Sequence, residues 1–230
     1  MNETDLLALR ETISRQLQEE TSSLLVAIAG APASGKSTQA ALLSHQLNEN
    51  HASSENTGQI SIVVPMDGFH LDNRVLEREG LLSRKGSPAT FDAIGLLHML
   101  ERIKQMDTPQ SSGSDATTTD SFIAFPVFDR ELDLSKAAAD RVLPEHRCII
   151  VEGNYLLLEQ QPWALLRELF DITVMLDVPE ETLSERLTAR WLSHGETLEK
   201  ARSRAEYNDL PNARTVISYS SKADFIIRNG

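Results

Sequence analysis

The run Gly30-Ala31-Pro32-Ala33-Ser34-Gly35-Lys36-Ser37, followed by Thr38, sets a Lys-Ser pair directly behind the second of two glycines. Glycines at that spacing let the chain turn tightly enough to aim successive backbone N–H groups at one point, and a following helix adds its N-terminus there. A chain of phosphates fits such a cradle. In this pattern the Lys36 ammonium serves the β- and γ-phosphates, and the Ser37 hydroxyl serves the Mg2+ that travels with a nucleoside triphosphate. Gly30 to Thr38 are therefore the nucleotide-binding candidates. The Lys36 side chain is expected to face solvent until phosphates arrive.

Three further acids each end an apolar run: Asp67, Glu152 and Asp177. If the runs are parallel strands, all three face the rim where ligands of open α/β sheets bind. Asp67, leading into Gly68-Phe69-His70, is the candidate to orient an acceptor hydroxyl and take its proton, against the alternative of a turn or cap. Glu152, ahead of Gly153, is the candidate to hold Mg2+ or its water shell; a structural turn residue is the alternative. Asp177 precedes Val178-Pro179 and reads as a helix entry. Arg186 and Arg190 lie four apart, on one face of a helix, and suit cations that close over a γ-phosphate; an exposed helix pairing with Glu181, Glu185 and Glu199 is the other reading. Arg84-Lys85-Gly86 is either a clamp on an anionic or hydroxyl-rich substrate or a solvated loop. His70 is either a substrate contact or a satisfied loop histidine. Neither histidine spacing nor cysteine content suggests zinc.

These residues need elements to hold them. Leu24–Ala29 reads as a buried strand ahead of the loop, with a helix over about 35–48 behind it and a second strand at Ile60–Met66. Residues 67–92 have no long periodic run and read as a functional loop with a short helix at about 73–79. Leu96, Leu97, Leu100 and Ile103 share one face of a helix over 93–106. Phe122–Phe128 is extended, Cys148–Val151 and Ile172–Asp177 are strands, and a helix near 163–169 lies between those two. Pro179 opens a helix to about Ser193, another covers about 196–208, and Ala223–Arg228 is a last strand. Leu6, Leu9, Ile13 and Leu17 recur at helical spacing, so 3–20 is an amphipathic helix. Residues 107–121 are low in apolar side chains and read as a mobile insertion. Strand and helix in alternation, with crossover-length connections, predict an α/β fold with a mainly parallel sheet covered on both faces.

At 230 residues the chain suits one domain spanning 1–230, with 1–22 as an N-terminal helical segment. A net charge of −12, from 34 acidic and 22 basic residues, argues against a general affinity for nucleic acid or an anionic membrane. The apolar runs are far too short to span a bilayer, and the start of the chain is acidic rather than signal-like, so a cytoplasmic location is expected. The single cysteine, Cys148, sits in an apolar strand and reads as a buried spectator.

The loop Gly30–Ser37, taken with Met66-Asp67-Gly68-Phe69-His70-Leu71-Asp72-Asn73, Arg84-Lys85-Gly86-Ser87-Pro88-Ala89-Thr90-Phe91-Asp92, Phe125-Pro126-Val127-Phe128-Asp129-Arg130 and Val151-Glu152-Gly153-Asn154-Tyr155-Leu156-Leu157, resembles the phosphoribulokinase/uridine kinase family of P-loop kinases from about Leu24 to the end of the chain. The resemblance implies a P-loop NTPase fold, three layers α/β/α, with a helical lid at about 186–206. It implies ATP and Mg2+ as cofactors, Asp67 as base, Glu152 as the acid of the Glu-Gly turn, and Lys36, Arg186 and Arg190 as catalytic cations. His70, Arg84, Lys85, Asp129, Arg130, Asn154 and Tyr155 become substrate-facing candidates, and Ser37 and Glu152 the metal candidates. The segments look closest to fructokinase-like or nucleoside-triphosphate hydrolase-like bacterial members, with pantothenate kinase more distant. Uridine kinases carry a serine and an aromatic after the base aspartate, and an aromatic-histidine pair for the nucleobase; here Gly68-Phe69-His70 and Phe128-Asp129-Arg130 stand instead. A sugar or sugar-like polyol is therefore the expected acceptor, with nucleoside or pantothenate kinase and an acceptor-free NTP hydrolase as alternatives. Expected partners are a small-molecule substrate, no nucleic acid and no membrane, with a homodimer left open.

Overall fold

The computed structural model describes residues 3–19, 22–52, 58–106 and 122–229; the expected mobile insertion 107–121 lies outside them. In chain order the elements are helix α1 (Glu3–Glu19), strand β1 (Leu24–Gly30), helix α2 (Lys36–His51), strand β2 (Ser61–Pro65), a 3-10 turn (Met66–Phe69), and helices α3 (Asn73–Arg78) and α4 (Ala93–Gln105). Strands β3 (Ile123–Asp129), β4 (Leu134–Val142) and β5 (Cys148–Gly153), a 3-10 helix (Trp163–Leu169) and strand β6 (Ile172–Asp177) follow. Helices α5 (Glu180–Ser193) and α6 (Leu198–Arg204), a π-helical turn (Ala205–Asp209), helix α7 (Leu210–Tyr219) and strand β7 (Phe225–Arg228) close the chain.

Five strands form one sheet in the order β2-β5-β1-β6-β7, every pairing parallel. The central strand β1 is buried along its whole length because both faces are covered, as a continuous apolar run requires. Leu25, Ala27 and Ala29 pack with Leu96 and Leu100 of α4 on one face. Leu24, Val26 and Ile28 pack with Leu9 and Ile13 of α1 and Leu43 and Leu47 of α2 on the other. The result is the three-layer α/β/α architecture the sequence predicts. β1 is flanked by β5 and β6, which follow it much later in the chain, so a crevice opens at its carboxyl end, where the phosphate-type loop begins.

Strands β3 and β4 form a separate antiparallel hairpin. Sequence reading gives β3 but not β4, because all of Leu134–Val142 except Val142 and the half-buried Ser135 is exposed and carries no apolar alternation. Helix α7 is likewise unassigned from sequence: Asn208, Asp209 and Pro211 interrupt the periodicity where it starts. No described helix is long and apolar enough to cross a membrane.

Candidate active site

Pro32, Ala33, Gly35, Lys36, Ser37 and Thr38 line a hollow of about 320 Å3 together with Asp67, Arg130, Glu152, Asn154 and Arg190. Gly35 caps α2 in the left-handed region at φ 92°, a conformation that costs glycine nothing, and the first turn of α2 carries no acid to repel an anion. Lys36 departs from its expected place: it is only 7% exposed, and its Nζ donates to the Ala31 carbonyl at 2.9 Å. The loop wraps its own lysine. Burial pulls the Lys36 pKa down, with Glu152 and then Asp67 acting against that.

Ser37 Oγ donates to Glu152 Oε1 at 3.0 Å, joining the start of α2 to the end of β5. Glu152 is 7% exposed and burial raises its pKa, chiefly against the pull of Lys36. A hydroxyl and a carboxylate side by side are the hard oxygen donors Mg2+ takes. Among the described residues no cluster of three or more His, Cys, Asp or Glu could hold a metal alone. Phosphate and water would supply the other ligands, the usual situation for this cation.

Asp67 sits in the 3-10 turn that follows β2. The turn is pressed beneath the β3–β4 hairpin: a Cβ on Gly68 would lie 2.0 Å from the Pro126 carbonyl oxygen, so only glycine allows the approach. The hairpin thereby delivers Arg130, whose Nη2 donates to Asp67 Oδ2 at 3.1 Å. The Asp67 carbonyl accepts from the His70 N–H at 3.2 Å and lies 2.8 Å from His70 Nδ1, so that nitrogen carries the proton. The imidazole is held between Phe91 and Phe128, at ring-centroid distances of 4.0 and 4.6 Å, and burial lowers its pKa.

A second cleft, of about 630 Å3, shares Pro32, Asp67, Arg130, Asn154 and Arg190 with the first. Arg190 is half-buried in this shared wall, its pKa lowered first by burial and next by Arg130, and it makes no ion pair with a described residue. A guanidinium without a direct ion pair, its charge offset only at longer range by Asp209 and Asp67, therefore faces the junction of the two spaces.

Of the substrate candidates, His70, Lys85, Arg130 and Asn154 line the second cleft. Lys85 is already paired there: Nζ lies 2.8 Å from Asp133 Oδ1, donates to Asn73 Oδ1 at 2.7 Å, and stands over the Phe128 ring. Arg84 points elsewhere, donating to the Tyr207 carbonyl at 2.6 Å, because successive loop residues diverge. Asp129 pairs with Lys136 and accepts from the backbone N–H groups of Glu131 and Leu132, fixing the hairpin turn. Tyr155 is fully buried against Phe91 and Trp163, and its hydroxyl donates to the Gly86 carbonyl at 2.6 Å. These three support the site from behind. Arg186, one turn before Arg190, lines neither cleft. Asp177 lies on the far side of the loop, 4.0 Å from Arg228.

Sequence reading misses Asn73, Asp133, Trp191, Asn208, Asp209 and Asn212, all of which line the second cleft. Asn212 is 3% exposed and its carboxamide bonds to no described residue. Asn208 Nδ2 donates to the Lys85 carbonyl at 2.8 Å, tying the π-helical turn to the substrate loop. Asp209 accepts from Trp191 Nε1 at 2.6 Å, and the indole is covered by the Arg204 guanidinium at 4.5 Å. π-helical turns are rare and cluster at functional sites, but nothing in the composition of Ala205–Asp209 announces one.

No profile of a known protein family matches the chain. A Schizosaccharomyces pombe protein provisionally named a uridine kinase is 33% identical over 219 residues, covering 93% of this chain and 86% of its own length. A crystal structure from Silicibacter sp. TM1040, provisionally described as a fructose transport system kinase, superposes with a TM-score of 0.83 at 39% identity, over 96% of this chain and 98% of its own. The ATP-dependent kinase YFH7 of Kluyveromyces lactis is 30% identical over 194 residues, 70% of this chain; the chain spans 54% of that longer protein.

Proposed function

Because the chain belongs to the phosphoribulokinase/uridine kinase family of P-loop kinases, we propose that this phosphotransferase moves the γ-phosphate of ATP to a hydroxyl of a sugar or sugar-like polyol. The observation that carries the reading is the junction of the two clefts, where Asp67, Arg130 and Arg190 stand between a phosphate cradle and a larger polar pocket. In this reading ATP lies along Gly30–Thr38, with Lys36 released from the Ala31 carbonyl to its phosphates. Ser37 and Glu152 would hold Mg2+, whose charge would offset that of the phosphates. Arg130 holds Asp67 Oδ2, leaving Oδ1 for the acceptor hydroxyl. The acceptor oxygen bonds to the γ-phosphorus as the bond to the β,γ-bridging oxygen breaks; the hydroxyl proton passes to Asp67 and ADP leaves. Arg190 meets the charge that spreads over the transferring group.

Two features favour a neutral polyol. The larger cleft is lined by the carboxamides of Asn73, Asn208 and Asn212, and the charges of Lys85 and Arg204 are spent on Asp133 and Glu196, so away from the junction held by Arg130 and Arg190 an acceptor carboxylate or phosphate meets no unpaired cation. His70 fills the space between Phe91 and Phe128, in which a nucleobase would otherwise stack. The test is ADP formation with MgATP and a panel of sugars, nucleosides and pantothenate. A sugar should accelerate it. ATP consumption in buffer alone, unchanged by the panel, would identify a hydrolase, and acceleration by uridine or pantothenate would replace the acceptor class.

A further inference from the structure

Asn229 follows β7 and lies 195 residues from the loop it touches. Its N–H donates to the Asp177 carbonyl at 3.0 Å, and its Nδ2 donates to the Ser34 carbonyl at 2.7 Å. A Cβ on Gly35 would sit 2.6 Å from that same Nδ2 and 3.9 Å from Cγ, so the carboxamide meets the loop end-on, nitrogen first.

The Ser34 carbonyl and the Gly35 N–H belong to one peptide plane, and in a trans peptide they point in opposite directions. Drawing the carbonyl outward to Asn229 turns the N–H inward, to the side on which Lys36 and Ser37 line the hollow. That N–H has no acceptor among the described residues. Sterics would not hold the plane by themselves, because glycine takes either sign of φ with little penalty.

We propose that Asn229 is a positioning residue for polyphosphate, fixing the orientation of the Ser34–Gly35 peptide so that one backbone donor of the cradle is aimed before nucleotide arrives. The inference rests on the reading of the loop as the ATP site and adds to it a strut supplied from beyond the last strand. Neighbouring geometry holds the strut in place: β7 is registered on β6 with Arg228 opposite Asp177, which seats Asn229 at the rim.

The test uses MgADP and magnesium tripolyphosphate as probes in calorimetry, on the wild type, Asn229→Ala and Asn229→Asp. Alanine removes the donor; aspartate keeps the shape and sets an acceptor against a carbonyl. The alanine variant should bind both probes about five- to tenfold more weakly, the worth of one hydrogen bond. The loss should match for the two probes, since the base is untouched, and be larger for aspartate. Melting temperature is read in parallel, because a merely structural residue would lower it and leave both Kd values alone. Kd values within twofold of wild type in both variants overturn the role of Asn229. A wild type that binds neither probe overturns the nucleotide reading itself. If the alanine protein does not fold, the aspartate variant, with the same volume, decides.

Discussion

At the scale of single residues, Lys36 separates binding from stability. A lysine buried at 7% exposure, with its pKa pulled down by desolvation, costs the fold more than an apolar chain of the same length would. Lys36→Met should therefore leave the melting temperature unchanged or higher while phosphoryl transfer falls by about 10²-fold or more, the usual loss when a preorganised charge is removed. Thermal denaturation and ADP formation on one preparation check both halves, and wild-type turnover would end the phosphate assignment. Asp67→Asn asks the complementary question. It keeps the size and the polar contact with Arg130 but removes the proton acceptor, so MgADP affinity should hold while transfer drops about 10²- to 10⁴-fold, the range of general acid–base catalysis. Near-normal transfer would remove the base; loss of nucleotide binding together with activity would make Asp67 a metal ligand instead.

At the scale of elements, the hairpin β3–β4 decides whether Asp67 has a partner at all. Gly68→Ala would set a methyl 2.0 Å from the Pro126 oxygen and 2.6 Å from its carbon, backbone atoms that cannot rotate away, so the hairpin must lift from the turn. Overpacking of this kind costs about 1–3 kcal/mol. A melting temperature lower by several degrees, a raised KM for the acceptor and an unchanged MgADP Kd are expected. A loss confined to stability would show that the hairpin is scaffold only. The same hairpin marks the limit of what the sequence reveals. β1, β5 and β6 are legible because burial on both faces writes them as unbroken apolar runs, and the phosphate loop because its glycines have a fixed spacing. β4 and the carboxamides that line the second cleft are not, since exposed strands and polar cleft walls need no periodicity. Lys85 illustrates the difference: its residue type suggests a substrate clamp, but its pairing with Asp133, 48 residues on, exists only once the hairpin folds back over the loop.

At the scale of the whole molecule, the buried His146 and the half-buried His70 shape the acid limb of stability. His146, 4% exposed, accepts the Leu143 N–H on Nδ1 at 3.0 Å, and His70 lies between two phenylalanine rings; burial lowers both pKa values. Above the unfolded histidine pKa of about 6.5 both states are neutral, and neither ring affects the balance. As pH falls through 6.5 the unfolded chain takes up protons that the native rings refuse, so stability declines, by at most about 1.4 kcal/mol per pH unit for each histidine, until the lowered native pKa is reached. Glu152 works in the opposite direction. Its native pKa is raised, so its burial penalty is present above that pKa and is relieved as pH falls toward the unfolded value of 4.5. The net charge of −12 also shrinks in acid, which eases self-repulsion. The histidine contribution is isolated by comparing slopes rather than absolute stabilities. In urea titrations from pH 7.5 to 5.5, His146→Gln should flatten the dependence and His70→Asn with His146→Gln should flatten it further, even where both variants are less stable at pH 7.5. Equal slopes in all three proteins would mean that the rings protonate in place, and that the native state opens around them at no greater cost than the unfolded chain.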